Sequence, residues 1–439
     1  MIAALLLLAL VQQPAPATAD TARGRPCTVV IDSVRGKAQQ VEVRKRETNV
    51  FAGGGVFAHC QGTGSSLSSD SVAWFAGIGR FDMIGQKSPV HIRDTAITLD
   101  AQRASYFLRL ERLDAQVNVV AVNRKTGSVL RGPNMTYYRA ARGVRDTLEL
   151  YASSRPTIEY RSNPDSGEPY VIVADRVRFK GNDRMWGGGR VTIDRSDIAA
   201  QGDSMQLDET AGQAVLIGRP RVAGKGARPY TLVGTRIEMA LALREVRKVK
   251  ALGHGEATGA DWRLTADTIH LAIEQRKLQQ VFAWGDSTRP HAVSTLYTIL
   301  ADSLALDLPN EVLTEARAYR KALATSKKDS TAKADVNWIA GDTIVARWAQ
   351  VTDSAGPAKT KLRHLQAHGS ARSFSHLSNE RDSTRGPSMD YSRGQVINIA
   401  LRGDQIERIV VSGRADGLHL EPAPPPPAKD TTAKRPSAR

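Results

Sequence analysis

The chain has 439 residues, with 61 Lys and Arg against 45 Asp and Glu, a formal net charge of +16. A surface of that sign favours anionic partners such as nucleic acid, a membrane surface or an anionic glycolipid, and argues against cationic ones. Two cysteines and histidines that do not cluster exclude a Cys/His metal centre, and aromatics are only 5%, so Val, Ile, Leu, Met and Ala must fill the core.

Residues 1–19 open with an apolar run, Ile2 to Val11, too short to span a membrane. Two A-x-A sites follow, Ala15-Pro-Ala17 and Ala17-Thr-Ala19. That arrangement predicts a secretory signal peptide, and with it a soluble protein exported to the periplasm. In an oxidising compartment Cys27 and Cys60 favour a single disulfide over two free thiols.

From Val29 to about Tyr160, short strands alternate with polar turns, giving a first module over 27–160. Gly53-Gly-Gly55 and Gly62-Thr-Gly64 lack the following Lys-Ser/Thr and helix of a phosphate loop and read as hairpin turns. The stretch 161–169 (RSNPDSGEP) is a turn-rich break, and a second module runs over 170–420. Glu311 to Leu323 has the composition of a helix, but its register matches a returning strand, and the register is preferred. Residues 325–334 and 374–387 read as polar insertions, the first a mobile loop. The tail, 422–439, is Pro-rich, basic and disordered in character.

One unit recurs throughout. In Leu264 to Gly285 the first half alternates apolar residues at a period of two, changes phase at Asp267-Thr268 as a β-bulge would require, and returns through Leu278, Val281, Ala283 and Gly285. Counted from the Asp position, copies sit at Asp70, Gln102, Pro133, Asp175, Asp203, Thr235, Asp267, Asp302, Asp342 and Pro387. Two copies are nearly identical, Arg131 to Tyr137 (RGPNMTY) and Arg385 to Tyr391 (RGPSMDY). One hairpin cannot bury its apolar face alone, so such units must stack. Positions two apart share a strand face. Stacking in register therefore aligns Val177/Phe179, Met205/Leu207, Ile237/Met239, Ile269/Leu271 and Leu304/Leu306 into one apolar stripe. The recurring Asp is read as an acceptor for backbone N–H groups freed at the bulge, rather than as a series of catalytic carboxylates.

Chemistry is otherwise absent. His364 and His368 lie about 13 Å apart on a strand, at roughly 3.3 Å per residue, too far to share a metal. No nucleophile elbow, zinc spacing or dinucleotide fingerprint occurs in context, so no enzyme activity, metal or cofactor is expected. The basic residues lack the aromatic interleaving of single-strand nucleic-acid binders.

The segments LSSDSVAW (67–74), IVADRVRF (172–179), LTADTIHL (264–271), ILADSLAL (299–306) and KLRHLQAHGSA (361–371) resemble the OstA/LptA family of periplasmic lipopolysaccharide-transport proteins. The resemblance implies an all-β, elongated, V-shaped antiparallel β-jellyroll of about ten hairpin repeats. It implies an apolar groove, lined by the stripe above, that shields acyl chains of lipopolysaccharide or a related anionic glycolipid on the way to the outer membrane. It also implies docking to inner- and outer-membrane transport components with related domains, and head-to-tail self-association. The chain is longer than the short bridge proteins and carries two cysteines and a basic tail. Two alternatives stand beside this reading. A structural or adhesive β-solenoid binding surface polysaccharide would have a filled core. A carbohydrate-active enzyme would need converging carboxylates, which the evenly spaced Asp positions do not offer.

Overall fold

A computed structural model describes residues 28–422, apart from 46, 62, 142, 144, 162, 163, 166, 243, 244, 261, 327–335, 352–358, 378–386, 403 and 404. The expected signal peptide, Cys27 and the tail beyond 422 lie outside the described residues, as do most of both polar insertions. Cys60 is disulfide-bonded.

The described residues form strands throughout, paired antiparallel, with only two single-turn 3-10 segments, Leu108–Leu110 and Pro309–Glu311. The all-β class expected from the period-2 alternation is what the chain adopts. The segment with helical composition is the strand Glu315–Ser326. Its Ala316 and Ala318 are buried and pair with Leu306 and Leu304 of the neighbouring strand, so tertiary pairing overrides local propensity. Two compact units result. One holds residues up to Ser154 together with Phe179–Gly181; the other holds Arg155–Arg178 and Asn182 onward.

In the first unit, Glu47–Gln61, Ser65–Phe75, Arg112–Asn123 and Val129–Tyr138 are the long strands, joined by shorter pairs such as Arg80–Ile84 with Arg103–Phe107. Val56, Phe81, Met83, Val90, Leu99 and Met135 are buried in its core.

The second unit is built from two ladders that share their long strands. Ile198–Asp208 pairs through Ile198 to Gln201 with Arg221–Gly224, and through Ser204 to Asp208 with Gln213–Ile217. Trp262–Glu274 divides in the same way between His291–Ser294 and Lys277–Trp284. Each long strand thus gives one arm to each ladder. The register shifts where the arms meet, between Gly188 and Val191, Leu252 and Gly255, Tyr319 and Ala322, and His368 and Ala371. These are bulges, and they bend the strand so that the apolar faces of both arms turn inward.

The crease has its own chemistry. On one side the chain enters the left-handed region for two successive residues: Gly189-Arg190, Gly218-Arg219, Gly253-His254, Arg320-Lys321, Gly369-Ser370 and Gly413-Arg414. On the other side stands the recurring Asp position. At Gly218, with φ of +79°, an added Cβ would lie 2.5 Å from the Asp203 side chain. Glycine is needed there for both its backbone and its lack of a side chain.

The tenth repeat requires a correction. The crease of the strand Ser388–Arg402 falls at Gln395, whose backbone N–H donates to the Gly413 carbonyl, and not at Pro387. Ile397 and Ile399 are the buried pair that follows it. Pro133 does sit at a crease, between Gly132 and Asn134, where the register shifts. Pro387 instead precedes the strand, so nearly identical local sequence occupies two different places in the unit.

Candidate functional site

The second unit holds a half-open cavity of about 380 Å³ between its ladders. Ile172, Ile193, Ile198 and Ala200 line it from one ladder, and Met205, Leu207, Ala214, Met239, Leu241 and Val246 from the other. The reason for the space is local. Ala200, Gly212 and Ala214 put small groups where other units put branched ones. Further along, Leu232, Ile237, Leu264, Ile269, Leu271 and Leu304 are all less than 2% exposed and close the interior completely.

The apolar stripe read from the sequence is therefore divided by the structure. Met205, Leu207 and Met239 line the cavity. Val177, Ile237, Ile269, Leu271, Leu304 and Leu306 are buried in packed core and do not. Phe179 is half-buried and belongs to the first compact unit. Sequence reasoning missed Tyr160, Tyr170, Ile193, Ile198, Leu241 and Val246. The two tyrosines flank the 161–169 stretch, whose polar composition reads as a break between modules rather than as the border of a site.

Polar groups reach the cavity at a few points. The Tyr160 hydroxyl donates to the Glu209 carboxylate. Thr210 Oγ1 donates to Asp183 Oδ2 at 3.0 Å. The Tyr170 hydroxyl oxygen is buried and has no hydrogen-bond partner among the described residues, an arrangement that costs about 1–3 kcal/mol. Burial pushes this phenol up to about 12, against the opposing charge of Arg195, so it is a neutral donor at any physiological pH.

Behind the Tyr170 ring lies Arg195, its guanidinium carbon 4.2 Å from the ring centroid. Arg195 is 5% exposed. Its Nε is 2.5 Å from Asp197 Oδ1 and its Nη2 is 3.2 Å from Glu245 Oε2. Arg276 Nη2 adds a second contact to Glu245 at 3.0 Å. Burial alone would raise the Asp197 and Glu245 carboxyls, but the arginines hold both below the ordinary carboxylate range. Two cations and two anions thus neutralise each other. Among the described residues, the charged groups lining the cavity are the carboxylates of Asp183 and Glu209, with no Lys, Arg or His.

The first unit holds a different arrangement, a buried ionic cluster beside a space of only about 50 Å³. Asp94, Glu111 and Arg139 are 5%, 7% and 8% exposed, which marks each as core. Asp94 accepts from Ser65 Oγ at 2.6 Å, the Thr95 backbone N–H at 2.8 Å and the Tyr137 hydroxyl at 3.1 Å. The Tyr106 hydroxyl donates to Glu111. Arg139 Nε stands 3.6 Å from Asp94 and its Nη1 3.9 Å from Glu111. The cluster fills the interior that it occupies, and its chemistry is that of a structural plug.

The recurring Asp positions do not converge on one cleft. Asp70 accepts backbone N–H groups from Gln86, Lys87 and Ser88, and Asp267 those of Ser287 and Thr288. Asp175, Asp203 and Asp302 are paired instead with arginines, among them Arg190, Arg219 and Arg289. Among the described residues no group of His, Cys, Asp and Glu could hold a metal ion, and no helix is long and apolar enough to cross a membrane.

No family model and no curated protein matches the chain. Among solved structures it is similar to LptH of Pseudomonas aeruginosa, described as the LptA-homologous periplasmic component of the lipopolysaccharide transport device. The match has 18% identity and a TM-score of 0.23, and covers 33% of this chain and 97% of that one. A likeness of that size carries no argument about this chain.

Proposed function

We propose that this chain is a periplasmic lipid-binding protein, not an enzyme, that shields acyl chains of lipopolysaccharide or a related glycolipid during transport to the outer membrane. The observation that carries the reading is the cavity between the two ladders of the second unit, lined by Met205, Leu207 and Met239. Its volume of about 380 Å³ falls within the roughly 300–1,000 Å³ of small-molecule sites. Acyl chains transferred there from water gain about 25 cal/mol per Å² of apolar surface buried. The phosphorylated sugars of a glycolipid stay in solvent, where the excess positive charge of the chain complements them. The resemblance of the repeats adds the expected partners, transport components with related β-domains and further copies of this chain.

The test is the organic extract of protein purified from the cell envelope. Mass spectrometry of that extract should find acyl lipid in stoichiometric amount. A photo-crosslinking residue at position 239 should label it, and one at Glu238, whose side chain points out of the same strand, should not. Lipid-free protein, or equal labelling from both faces, refutes the proposal.

One observation favours the second reading for part of the chain. From Ile237 to Leu304 the stripe is sealed core, as in a structural β-solenoid that presents its outer surface to polysaccharide.

A further inference from the structure

We propose that the outer face of the second unit carries a docking site for a linear acidic polysaccharide, which sets its sugar rings on Phe282 and Trp284 and its carboxylates against Lys248 and Lys250. The inference is independent of the lipid cavity and gives the outer-surface reading a site and a chemistry.

Register brings these residues together. Across the strands Glu245–Thr258, Trp262–Glu274 and Lys277–Trp284, Lys250 pairs with His270 and His270 with Phe282. Two positions away on each strand, and so on the same face, lie the rows Lys248, Ala272, Gln280 and Leu252, Thr268, Trp284. Phe282 is 41% exposed, and its ring centroid lies 5.2 Å from that of Trp284. Sugar C–H groups settle on the negative face of an aromatic ring. Lys250 Nζ stands 6.0 Å from the Trp284 centroid. Among the described residues neither Lys248 nor Lys250 forms an ion pair. The neighbouring acids are engaged elsewhere, Glu238 with Arg236 at 2.8 Å and Asp307 with Arg317 at 3.0 Å. The field between the two lysines is therefore positive. Burial, then Lys248 and Lys250, holds the His270 imidazole below its ordinary 6.5, and a bound anion relieves that field. The flanking strands carry neutral pairs rather than further free cations. A sparsely charged glycan fits such a patch better than nucleic acid, which needs a cationic groove that tracks its backbone.

The experiment titrates oligogalacturonate, and a neutral malto-oligosaccharide of the same length, into the full chain by calorimetry at about pH 7, where a carboxyl of ordinary pKa is ionised. The acidic oligomer should bind about tenfold more tightly than the neutral one. Lys248→Gln with Lys250→Gln should weaken it by about tenfold. Lys37→Gln with Lys87→Gln removes the same charge from exposed positions of the first unit and should leave it nearly unchanged. Phe282→Ala should cost about threefold to tenfold with an unchanged Tm. Binding should also raise the titration midpoint of His270, followed by NMR, because a bound anion favours the imidazolium. Equal loss from the two lysine pairs, or full affinity in Phe282→Ala, overturns this site while leaving the outer surface as a whole standing. A thymidine oligonucleotide that binds more tightly than the glycan assigns the patch to nucleic acid and overturns the inference. A folded chain that takes up no oligogalacturonate, or takes up the neutral oligomer equally well, overturns it too, and none of these results bears on the lipid cavity.

Discussion

The backbone N–H of Thr288 donates to the carboxylate of Asp267, 21 residues earlier in the chain, at 3.0 and 3.1 Å. This contact gives the acidic residue at this crease its role, one that Asp70 shares. Ser287 donates to the same carboxylate at 2.8 Å, so one exposed side chain holds the turn that carries the chain from one ladder to the other. The hydrogen bond from Thr288, then that from Ser287, holds the carboxyl below its ordinary value of 3.8. Asp70 is held down in the same way by Ser88, Lys87 and Gln86.

A pH dependence follows with a definite sign. A carboxyl whose folded pKa is depressed contributes stability above its unfolded value and loses that contribution as pH falls through the folded one. Asp267→Asn should lower the Tm at neutral pH, and the gap to the parent protein should close as pH falls below 3.8. Thermal melts at a series of pH values measure it. A gap that stays constant into acid would show that the charge at Asp267 does not hold the turn.

The opposite wall of the crease is as specific. Gly218→Ala introduces a side chain at a φ of +79° and 2.5 Å from Asp203. The backbone part of the cost is about 1–2 kcal/mol, and the steric part adds to it. Asp203→Gly in the same chain removes the Cβ that the new methyl meets at 2.5 Å and should relieve the steric part, so the two substitutions should couple in a double-mutant cycle. Strict additivity in urea melts would show that the two residues do not press on each other.

How far this architecture was legible in the sequence depends on what each residue reports. Asp267, Ile269 and Leu271 announce a bent strand because the period of two and the change of phase are both written in the chain. The near-identity of RGPNMTY and RGPSMDY misleads, since Pro133 marks a crease while Pro387 only precedes a strand; the true crease, Gln395, carries no acidic residue. The cavity was not legible. An apolar stripe looks the same whether the opposite ladder supplies Leu264 and Ile269 or Ala200 and Ala214, and volume is a property of both walls together. The ionic cluster was hidden for a related reason. Asp94, Glu111 and Arg139 come from three separate turns, and Tyr106 and Tyr137 at core register read as apolar.

That cluster carries its own expectation. Arg139→Met should remove the cation that stands between two buried carboxylates, and loss of one partner from a buried ionic group typically costs about 3–5 kcal/mol. Urea denaturation should show a large fall in midpoint. Adding Asp94→Asn and Glu111→Gln to Arg139→Met should restore much of the loss, because no buried charge is then left unpaired. If the single variant is as stable as the parent, the three charges are solvated in solution and the plug is open.

The sharpest test of the interior sets two residues of the same unit against each other. Ile269 is fully buried in the sealed part of the stripe, and Leu241 is half-buried at the cavity. An aspartate at 269 has no partner and no access to water, and burying an unpaired carboxylate costs more than a domain's margin of stability. Ile269→Asp should therefore fail to fold, as read by far-UV circular dichroism and protease sensitivity. Leu241→Trp adds volume where volume is free, so the fold should survive with an unchanged or slightly raised Tm. The same variant should lose its capacity to retain acyl lipid through purification, because the indole takes the space that the chain would fill. A folded Ile269→Asp protein would show that the stripe is open at a place where it is packed shut here. A Leu241→Trp protein that retains lipid as the parent does would remove the cavity from consideration as the binding site and leave the outer surface of the sheet as the functional one.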